Sequence, residues 1–189
     1  MSTKSSRKVD PKVDVSWLED IAVTTIKSPS IPSKWIFVFF DLPSDEFTRR
    51  VGLHRNFRKT GLAMHSQSVY CMPYTRKNYS LVHRIDDSLT VIKTDLEKAK
   101  AENLSLMYQD FIESLFLEVE NKIEELEDAK ADSDNTRGYT KRFKKMEDRL
   151  SNMRRIMNLV PSEVYNERLE LLDSLVTEID HRGQGQAVV

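Results

Sequence analysis

The stretch Trp35-Ile36-Phe37-Val38-Phe39-Phe40-Asp41-Leu42-Pro43 decides the fold of this 189-residue chain. It opens with a continuous apolar run, rich in aromatic and β-branched side chains, that is too short for an independent helix. An apolar run of this length is typical of a strand that is buried on both faces. The sequence therefore predicts a central β-strand over residues 35–40, which Asp41-Leu42-Pro43 brings to an end.

A helix and a second extended segment are predicted after this strand. Ser44 is a suitable N-cap for the helix, and Gly61 suits its end because glycine tolerates the left-handed conformation. Residues 62–74 return to strand character. They form either one bent strand or two short strands that meet near Gln67-Ser68.

The following segment completes a βαββαβ order. Apolar residues recur at intervals of three or four from Leu81 to Ala99, which predicts one long amphipathic helix. Leu104–Tyr108 fits either a last strand or the beginning of the next helix. With the strand, the order is that of a ferredoxin-like domain, a four-stranded antiparallel sheet with two helices on one face.

The remainder of the chain is predicted to be helical. Apolar residues repeat with alternating intervals of three and four over 112–126, 143–160 and 165–179, which is typical of coiled-coil seams. The first of these helices is acidic and the second is basic, so antiparallel pairing places opposite charges side by side. The predicted class is therefore α+β, a ferredoxin-like sheet followed by a three-helix antiparallel bundle.

These patterns divide the chain into four parts. Residues 1–33 are a disordered or partly helical arm and linker, 34–110 are the ferredoxin-like domain, 111–181 are the helical bundle, and 182–189 are a tail.

Composition sets the expected compartment and the expected partners. Cys71 is the only cysteine, so no disulfide framework is available and a reducing, cytoplasmic setting is predicted. No apolar run approaches the roughly 20 residues that span a bilayer, so no membrane association is expected. The net charge of −1 is unevenly spread, since residues 137–160 carry eight cations and two carboxylates while residues 111–136 carry two and nine. A nucleic acid would therefore need a local basic surface.

Asp41 is the candidate catalytic and metal-binding residue. A carboxylate at the end of a central strand is held rigidly, and two of them meeting across a dimer axis could bind one Mg²⁺ or Mn²⁺ ion through oxygen ligands. That arrangement is typical of a nuclease. Alternatively, Asp41 is the polar end of a strand and binds backbone amides of the Leu42-Pro43 turn. No cofactor is expected unless the chain is a nuclease.

The candidate nucleic-acid contacts are basic or small polar residues of the predicted sheet domain. Cations of the first helix could form a phosphate-binding surface with those that follow Pro73, and a hydroxyl between the two short strands could bind phosphate as well. Each of these residues also has an ordinary interpretation, as part of a solvated helix face or as a plain strand or bulge residue. The set is Arg49, Arg50, Arg55, Arg58, Lys59, Ser68, Arg76 and Lys77. A second, denser basic set lies between Arg137 and Arg155, and it is expected to pair in part with the acidic helix.

Lys34–Pro73 carries a resemblance to a known group of families. The aromatic strand ending in Asp41-Leu-Pro43, the basic helix ending in Gly61, and Gln67-Ser68-Val69-Tyr70 resemble the small CRISPR-associated adaptation protein of the Cas-two type. They also resemble the related modules of PaaX-type repressors and ChrB-type chromate-response regulators. The helical extension looks most like the amino-terminal region of the ChrB type.

The resemblance implies a ferredoxin-like homodimer that works with nucleic acids, for example in transcription regulation. Asp41 maps to the metal-site aspartate of the CRISPR protein. The resemblance does not extend to the winged-helix domain of the repressors or to the chromate-linked domain of the ChrB type, so chromate sensing is not expected. The preferred hypothesis is a non-catalytic dimeric module, nucleic-acid-associated or regulatory, that binds DNA, RNA or a protein on DNA. The alternatives are a metal-dependent nuclease that uses Asp41, and a scaffold whose bundle binds a protein partner.

Overall fold

The computed structural model describes residues 31–43, 45–131, 136–160 and 162–182. Within them lie strands β1 (Lys34–Phe39), β2 (Ala63–Ser66), β3 (Val69–Pro73) and β4 (Thr90–Asp95). The helices are α1 (Phe47–Thr60), α2 (Arg76–Val82), α3 (Lys98–Ala131), α4 (Thr136–Met157) and α5 (Glu163–Arg182). Residues 1–30 of the predicted arm and linker, the predicted N-cap Ser44, and residues 183–189 of the predicted tail lie outside the described residues.

The aromatic stretch forms the central strand, as predicted. The sheet is antiparallel with strand order β2-β3-β1-β4, and β1 pairs with β3 from Trp35↔Pro73 to Phe39↔Val69. Trp35, Ile36 and Val38 are fully buried, because other elements cover this inner strand: Trp35 packs against Tyr108 of α3, and Ile36 and Val38 lie on the opposite face, where α1 packs. Burial on both faces is incomplete, however, since Phe39 on the Trp35 side of the sheet is 37% exposed.

Residues 62–74 form two short strands rather than one bent strand. The turn between β2 and β3 is formed by Gln67 and Ser68, and Ser68 adopts φ +65°. Its carbonyl accepts a hydrogen bond of 3.2 Å from the Phe40 amide, which continues the pairing of the central strand. The other face of the sheet is covered by α1, whose Phe57 ring lies 4.7 Å from the Tyr70 ring.

The prediction for residues 81–108 is wrong in two respects. The long amphipathic helix over 81–99 does not exist, because α2 ends at Val82 and residues 90–95 form the edge strand β4. The alternative of a strand over Leu104–Tyr108 is also wrong, because these residues lie inside α3. The β-branched run Thr90-Val91-Ile92 favours a strand, and Asp86 forms a turn by accepting hydrogen bonds from the Ser88 amide and hydroxyl.

Helices α3, α4 and α5 pack against one another. The seam residues of α3 and α5 are all buried, and only Phe143 of the α4 seam is partly exposed. Glu118 pairs with Arg149, and Lys130 lies 4.1 Å from the Tyr139 ring centre, so α3 and α4 run antiparallel. The predicted domain boundary at residue 110 falls within the single helix α3.

Candidate functional site

The cations of α1 that the sequence singles out divide into two groups. At the amino-terminal half of the helix, Arg49 bridges to Asp86 at 2.8 Å and to Glu46 at 2.9 Å. Arg50 donates a hydrogen bond of 2.6 Å to the Leu42 carbonyl. Both guanidinium groups therefore hold the start of α1 against its neighbouring turns.

Electrostatics of the Arg49 pair agree with a structural role. Hydrogen bonds from the Ser88 hydroxyl and from Arg49 lower the pKa of Asp86 to about 2. In turn, the hydrogen bonds to Asp86 and Glu46 raise the pKa of Arg49 above its ordinary value. The pair stays fully charged at neutral pH.

The carboxy-terminal half of α1 contributes its cations to a groove instead. Arg55, Arg58 and Lys59 form one wall of an open groove of about 780 Å³, whose other walls are α3 and α4. From α3 and α4 the lining residues are Leu115, Glu118, Val119, Lys145, Asp148, Arg149, Ser151, Asn152, Met153 and Ile156. The apolar members form the floor and belong to the core, so the polar members are the ones available to a ligand.

Contacts at the end of α1 explain why α1 and α4 lie side by side. Arg155 of α4 donates hydrogen bonds to the Lys59 carbonyl and, at 3.0 Å, to the Thr60 carbonyl. These are carbonyls of the last turn of α1, which have no partner within that helix. Burial lowers the pKa of Arg155, while the phenol of Tyr108 acts in the opposite direction.

Glu118 of α3 lies between two arginines from the other helices. Its Oε2 accepts a hydrogen bond of 3.1 Å from Arg58 Nε, and its Oε1 is 2.5 Å from Arg149 Nη1. Partial burial acts to raise the pKa of Glu118, but the hydrogen bond from Arg58 and the charge of Arg149 outweigh it and lower the pKa. One carboxylate is therefore held by two guanidinium groups.

The charge of the groove is positive overall. Five cationic side chains and two carboxylates line it. Arg55, Lys59 and Lys145 are exposed and form no ion pair with any residue that the structure describes. Exposed cations that are free of internal partners can neutralise the phosphates of a polyanion.

The other predicted contacts lie elsewhere. Ser68 is half-buried in the turn beside Phe40, and Arg76 and Lys77 are exposed in the first turn of α2. Neither the Ser68 turn nor the first turn of α2 borders the groove. The structure therefore brings together Arg55, Arg58 and Lys59 but not the remaining predicted contacts.

Asp41 is exposed two residues after the end of β1 and, among the described residues, makes no hydrogen bond or ion pair. The predicted bond to an amide of the Leu42-Pro43 turn is therefore not found within the described part of the chain, and Ser44, which follows that turn, lies outside it. No group of three or more His, Cys, Asp or Glu side chains suited to a metal ion occurs in the described ranges. A site shared by two Asp41 carboxylates would need a second chain, so the metal hypothesis stays a prediction.

The histidine of α1 has a packing role. His54 of α1 hydrogen-bonds to the Tyr70 hydroxyl, and its ring packs edge-on against Phe40 at 5.6 Å. Burial raises the pKa of Tyr70.

Sequence reasoning missed the α4 side of the groove. Arg149 pairs with the acidic helix as predicted, but Lys141, Arg142, Lys144 and Lys145 form no ion pair within the described part of the chain. The available signal was the interval of four between Arg137, Lys141, Lys145 and Arg149, which places them along one face of a helix.

Comparisons with protein-family models, with curated proteins and with solved structures found no significant match to this chain. The resemblance to the CRISPR-associated, PaaX-type and ChrB-type proteins thus rests on the residues between Lys34 and Pro73. None of the helices in the described ranges is long and apolar enough to cross a membrane.

Proposed function

We propose that this chain is a non-catalytic, nucleic-acid-binding module whose contact surface is the groove between α1 and α4. The observation that carries the proposal is the convergence of two basic walls, Arg55 and Lys59 on one side and Lys145 on the other, with no ion pair to described residues. Cations that lack internal partners can each neutralise a phosphate. A neutralised phosphate releases counterions that are condensed on the nucleic acid, and this release supplies a large share of the affinity for a phosphate backbone.

Polar groups beside these cations fit the same ligand. Ser151 and Asn152 line the groove next to Lys145 and supply hydroxyl and amide groups that bind phosphate oxygens in many nucleic-acid complexes. The side chains at the floor are buried and aliphatic, and no aromatic ring lines the groove among the described residues. Contact to the backbone, rather than stacking of bases, is the expected mode.

Two features of the fold support the family resemblance behind this proposal. The order β1-α1-β2-β3-α2-β4 with strand order β2-β3-β1-β4 agrees with a ferredoxin-like domain, and the antiparallel α3 and α4 with α5 agree with a three-helix bundle. A homodimer and a cytoplasmic setting are part of the proposal. The buried, unpaired Cys71 agrees with a reducing compartment.

Fluorescence anisotropy with a labelled mixed-sequence DNA duplex, a single strand and an RNA of equal length tests the proposal. Affinity should fall steeply between about 50 and 200 mM salt, because each phosphate contact contributes about −0.9 to the slope of log K against log salt for duplex DNA. A variant with Arg55→Gln and Lys59→Gln should make that slope shallower by about 2 units. Failure of the unmodified protein to bind any probe at low salt would refute the proposal.

The matched control is a variant with Arg76→Gln and Lys77→Gln. These residues are exposed on α2, away from the groove, and the change removes the same charge. We expect a slope close to that of the unmodified protein. An equal loss in both variants would show that overall charge, and not the groove, determines binding.

A metal-dependent nuclease is the second candidate, because Asp41 is exposed at the end of the central strand and open to a partner chain. In that case Mg²⁺ or Mn²⁺ would be needed, and Asp41→Asn should abolish cleavage of single- and double-stranded substrates. Asp45→Asn is the control, because Asp45 is an exposed carboxylate before α1. This change should leave cleavage intact. Equal activity in Asp41→Asn and unmodified protein would exclude this site.

A further inference from the structure

The two least exposed cations of the groove are already bound by a carboxylate of the protein itself. Arg58 enters from α1 and Arg149 from α4, and each guanidinium binds one oxygen of the same carboxylate, that of Glu118 on α3. All three side chains keep between a third and a half of their surface exposed. The carboxylate is therefore accessible to an anion that arrives from solvent.

Arg58 is held in place by groups other than Glu118. Its guanidinium lies 5.6 Å from the centre of the Phe111 ring, and its Nη2 is 3.4 Å from both the carbonyl and the hydroxyl oxygen of Ser114. These contacts keep the guanidinium at the groove if Glu118 moves away. Arg149 keeps about a third of its side chain exposed and lies on α4 beside Asp148 and Asn152, which also line the groove.

We infer that Glu118 is a built-in competitor for a phosphate group, and that a phosphodiester or inorganic phosphate displaces it to be bound jointly by Arg58 and Arg149. The inference rests on the proposed function and adds a specific phosphate site and its internal inhibitor. Two forked guanidinium groups around one carboxylate form the same donor arrangement that binds phosphate, because the non-bridging oxygens of a phosphate accept charge-assisted hydrogen bonds as the carboxylate oxygens do.

Glu118 therefore lowers the affinity of the groove for phosphate groups. In the free protein the Glu118 charge cancels part of the positive potential to which Arg55, Lys59 and Lys145 contribute, and Asp148 adds to the cancellation. Binding must first break the two ion pairs of Glu118, and exposed pairs of this kind are individually weak. A phosphate can therefore exchange with the carboxylate at modest cost.

Glu118→Gln tests the inference, because glutamine keeps the shape and one acceptor oxygen but loses the charge. We expect the variant to bind the DNA duplex roughly three- to ten-fold more tightly at moderate salt. The slope of log K against log salt should change by less than about 1 unit, because displacement of Glu118 lets the same cations reach the phosphates in both proteins. The Tm of the variant, followed by circular dichroism, shows that it is folded.

Glu124→Gln is the matched control. Glu124 lies on the same helix, is exposed, forms no ion pair with described residues, and its replacement changes the net charge equally. It should leave affinity and slope unchanged. An equal gain in Glu124→Gln, or unchanged binding in Glu118→Gln with only a lowered Tm, would overturn the inference.

A second probe separates this inference from the proposed function. Titration with inorganic phosphate, followed by NMR of the arginine Nε–Hε groups, should shift the Arg58 and Arg149 signals saturably in Glu118→Gln and at higher phosphate concentration in the unmodified protein. Absence of these shifts in Glu118→Gln refutes the phosphate site even if duplex binding persists. Phosphate binding without duplex binding confirms the site and refutes the nucleic-acid proposal.

Discussion

Gly61 lies where the sheet, α1, α3 and α4 meet. It ends α1 with φ +92°, and its carbonyl accepts a hydrogen bond of 2.7 Å from the buried Tyr108 hydroxyl. A Cβ atom at this position would lie 3.0 Å from Ile156 Cγ1. Both the backbone conformation and the close approach of α4 therefore require glycine here.

Gly61→Ala should lower the free energy of unfolding by roughly 1–2 kcal/mol from the left-handed backbone alone, with a further loss from the contact with Ile156. The control is Gly52→Ala, because a Cβ at Gly52, inside α1, would meet nothing within 4 Å. That change should stabilise the protein by roughly 0.5–1 kcal/mol. Urea denaturation of both variants gives the comparison, and equal effects of the same sign would contradict it.

Asp86 gives the protein a pH-dependent contact. Its pKa falls from 3.8 to about 2 through hydrogen bonds from Ser88 and Arg49, so the folded state favours the charged form. A depressed pKa contributes stability that is fully present above the ordinary value. This contribution is lost as the pH falls through the folded-state pKa.

Asp86→Asn should therefore lower the Tm at neutral pH, and the difference from the unmodified protein should shrink as the pH falls from about 4 toward 2. Thermal unfolding across this range is the measurement. Asp87→Asn serves as the control, because Asp87 is an exposed neighbour of Asp86 and forms no ion pair in the described part of the chain. The Tm difference of this variant should not change with pH. A Tm difference that is constant with pH would rule out the Arg49–Asp86 contact as its source.

At the scale of elements, α1 is held at both ends by side chains from distant parts of the sequence. Asp86 binds Arg49 near its beginning, and Arg155 binds the carbonyls of Lys59 and Thr60 at its end. A cation at a helix carboxy terminus also interacts favourably with the helix dipole. The groove keeps its shape because α4 both lines it and caps the helix opposite.

Arg155→Gln should lower the free energy of unfolding by about 1–3 kcal/mol, since it removes charged donors from two carbonyls at the end of α1. Lys144→Gln changes the same charge on an exposed face of α4 and should stay within about 0.5 kcal/mol of the unmodified protein. Chemical denaturation measures both. If Arg155→Gln were as neutral as Lys144→Gln, the capping contact would not contribute to stability.

At the scale of the whole molecule, the sheet and the helices share one hydrophobic core. A single cluster of buried residues extends from Trp35 and Phe57 to Ile179. Trp35 of β1 packs edge-on against Tyr108 of α3, with ring centres 5.8 Å apart. A cut at the predicted boundary after Asp110 would divide α3 and expose this core.

Unfolding should therefore be one cooperative transition, as a shared core predicts. In a Trp17→Phe background, fluorescence of Trp35 reports the sheet, while far-UV circular dichroism reports mainly the helices. The two signals should give the same denaturation midpoint. Separate midpoints would show that the sheet and α3–α5 are independent units.

Long or strongly apolar sequence patterns gave correct predictions, and short patterns did not. The aromatic run over 35–40 and the seams of α3, α4 and α5 were placed correctly, because long or strongly apolar patterns leave few alternatives. Residues 81–99 were predicted wrongly because apolar spacing in a short segment fits a helix and a strand alike. The turn at Asp86 could have resolved the choice.

For the candidate site, sequence reasoning identified the cations of α1 but could not separate those that bind the turns beside the start of α1 from those that line the groove. Arg49 and Arg58 are both arginines on one amphipathic helix, nine residues apart. Only the folded chain shows that one binds Asp86 and that the other faces the groove. The two arginines differ because their neighbours in the fold come from distant parts of the sequence.

By itself, the sequence determined the central strand, the left-handed end of α1 at Gly61, and the buried faces of the long helices, because these depend on local periodicity and backbone preference. The tertiary structure alone decided that α4 lies beside α1 and that Glu118 lies between Arg58 and Arg149. Glu118 is 60 positions from Arg58 and 31 positions from Arg149 in the sequence. No local pattern encodes which surfaces meet once the core has formed.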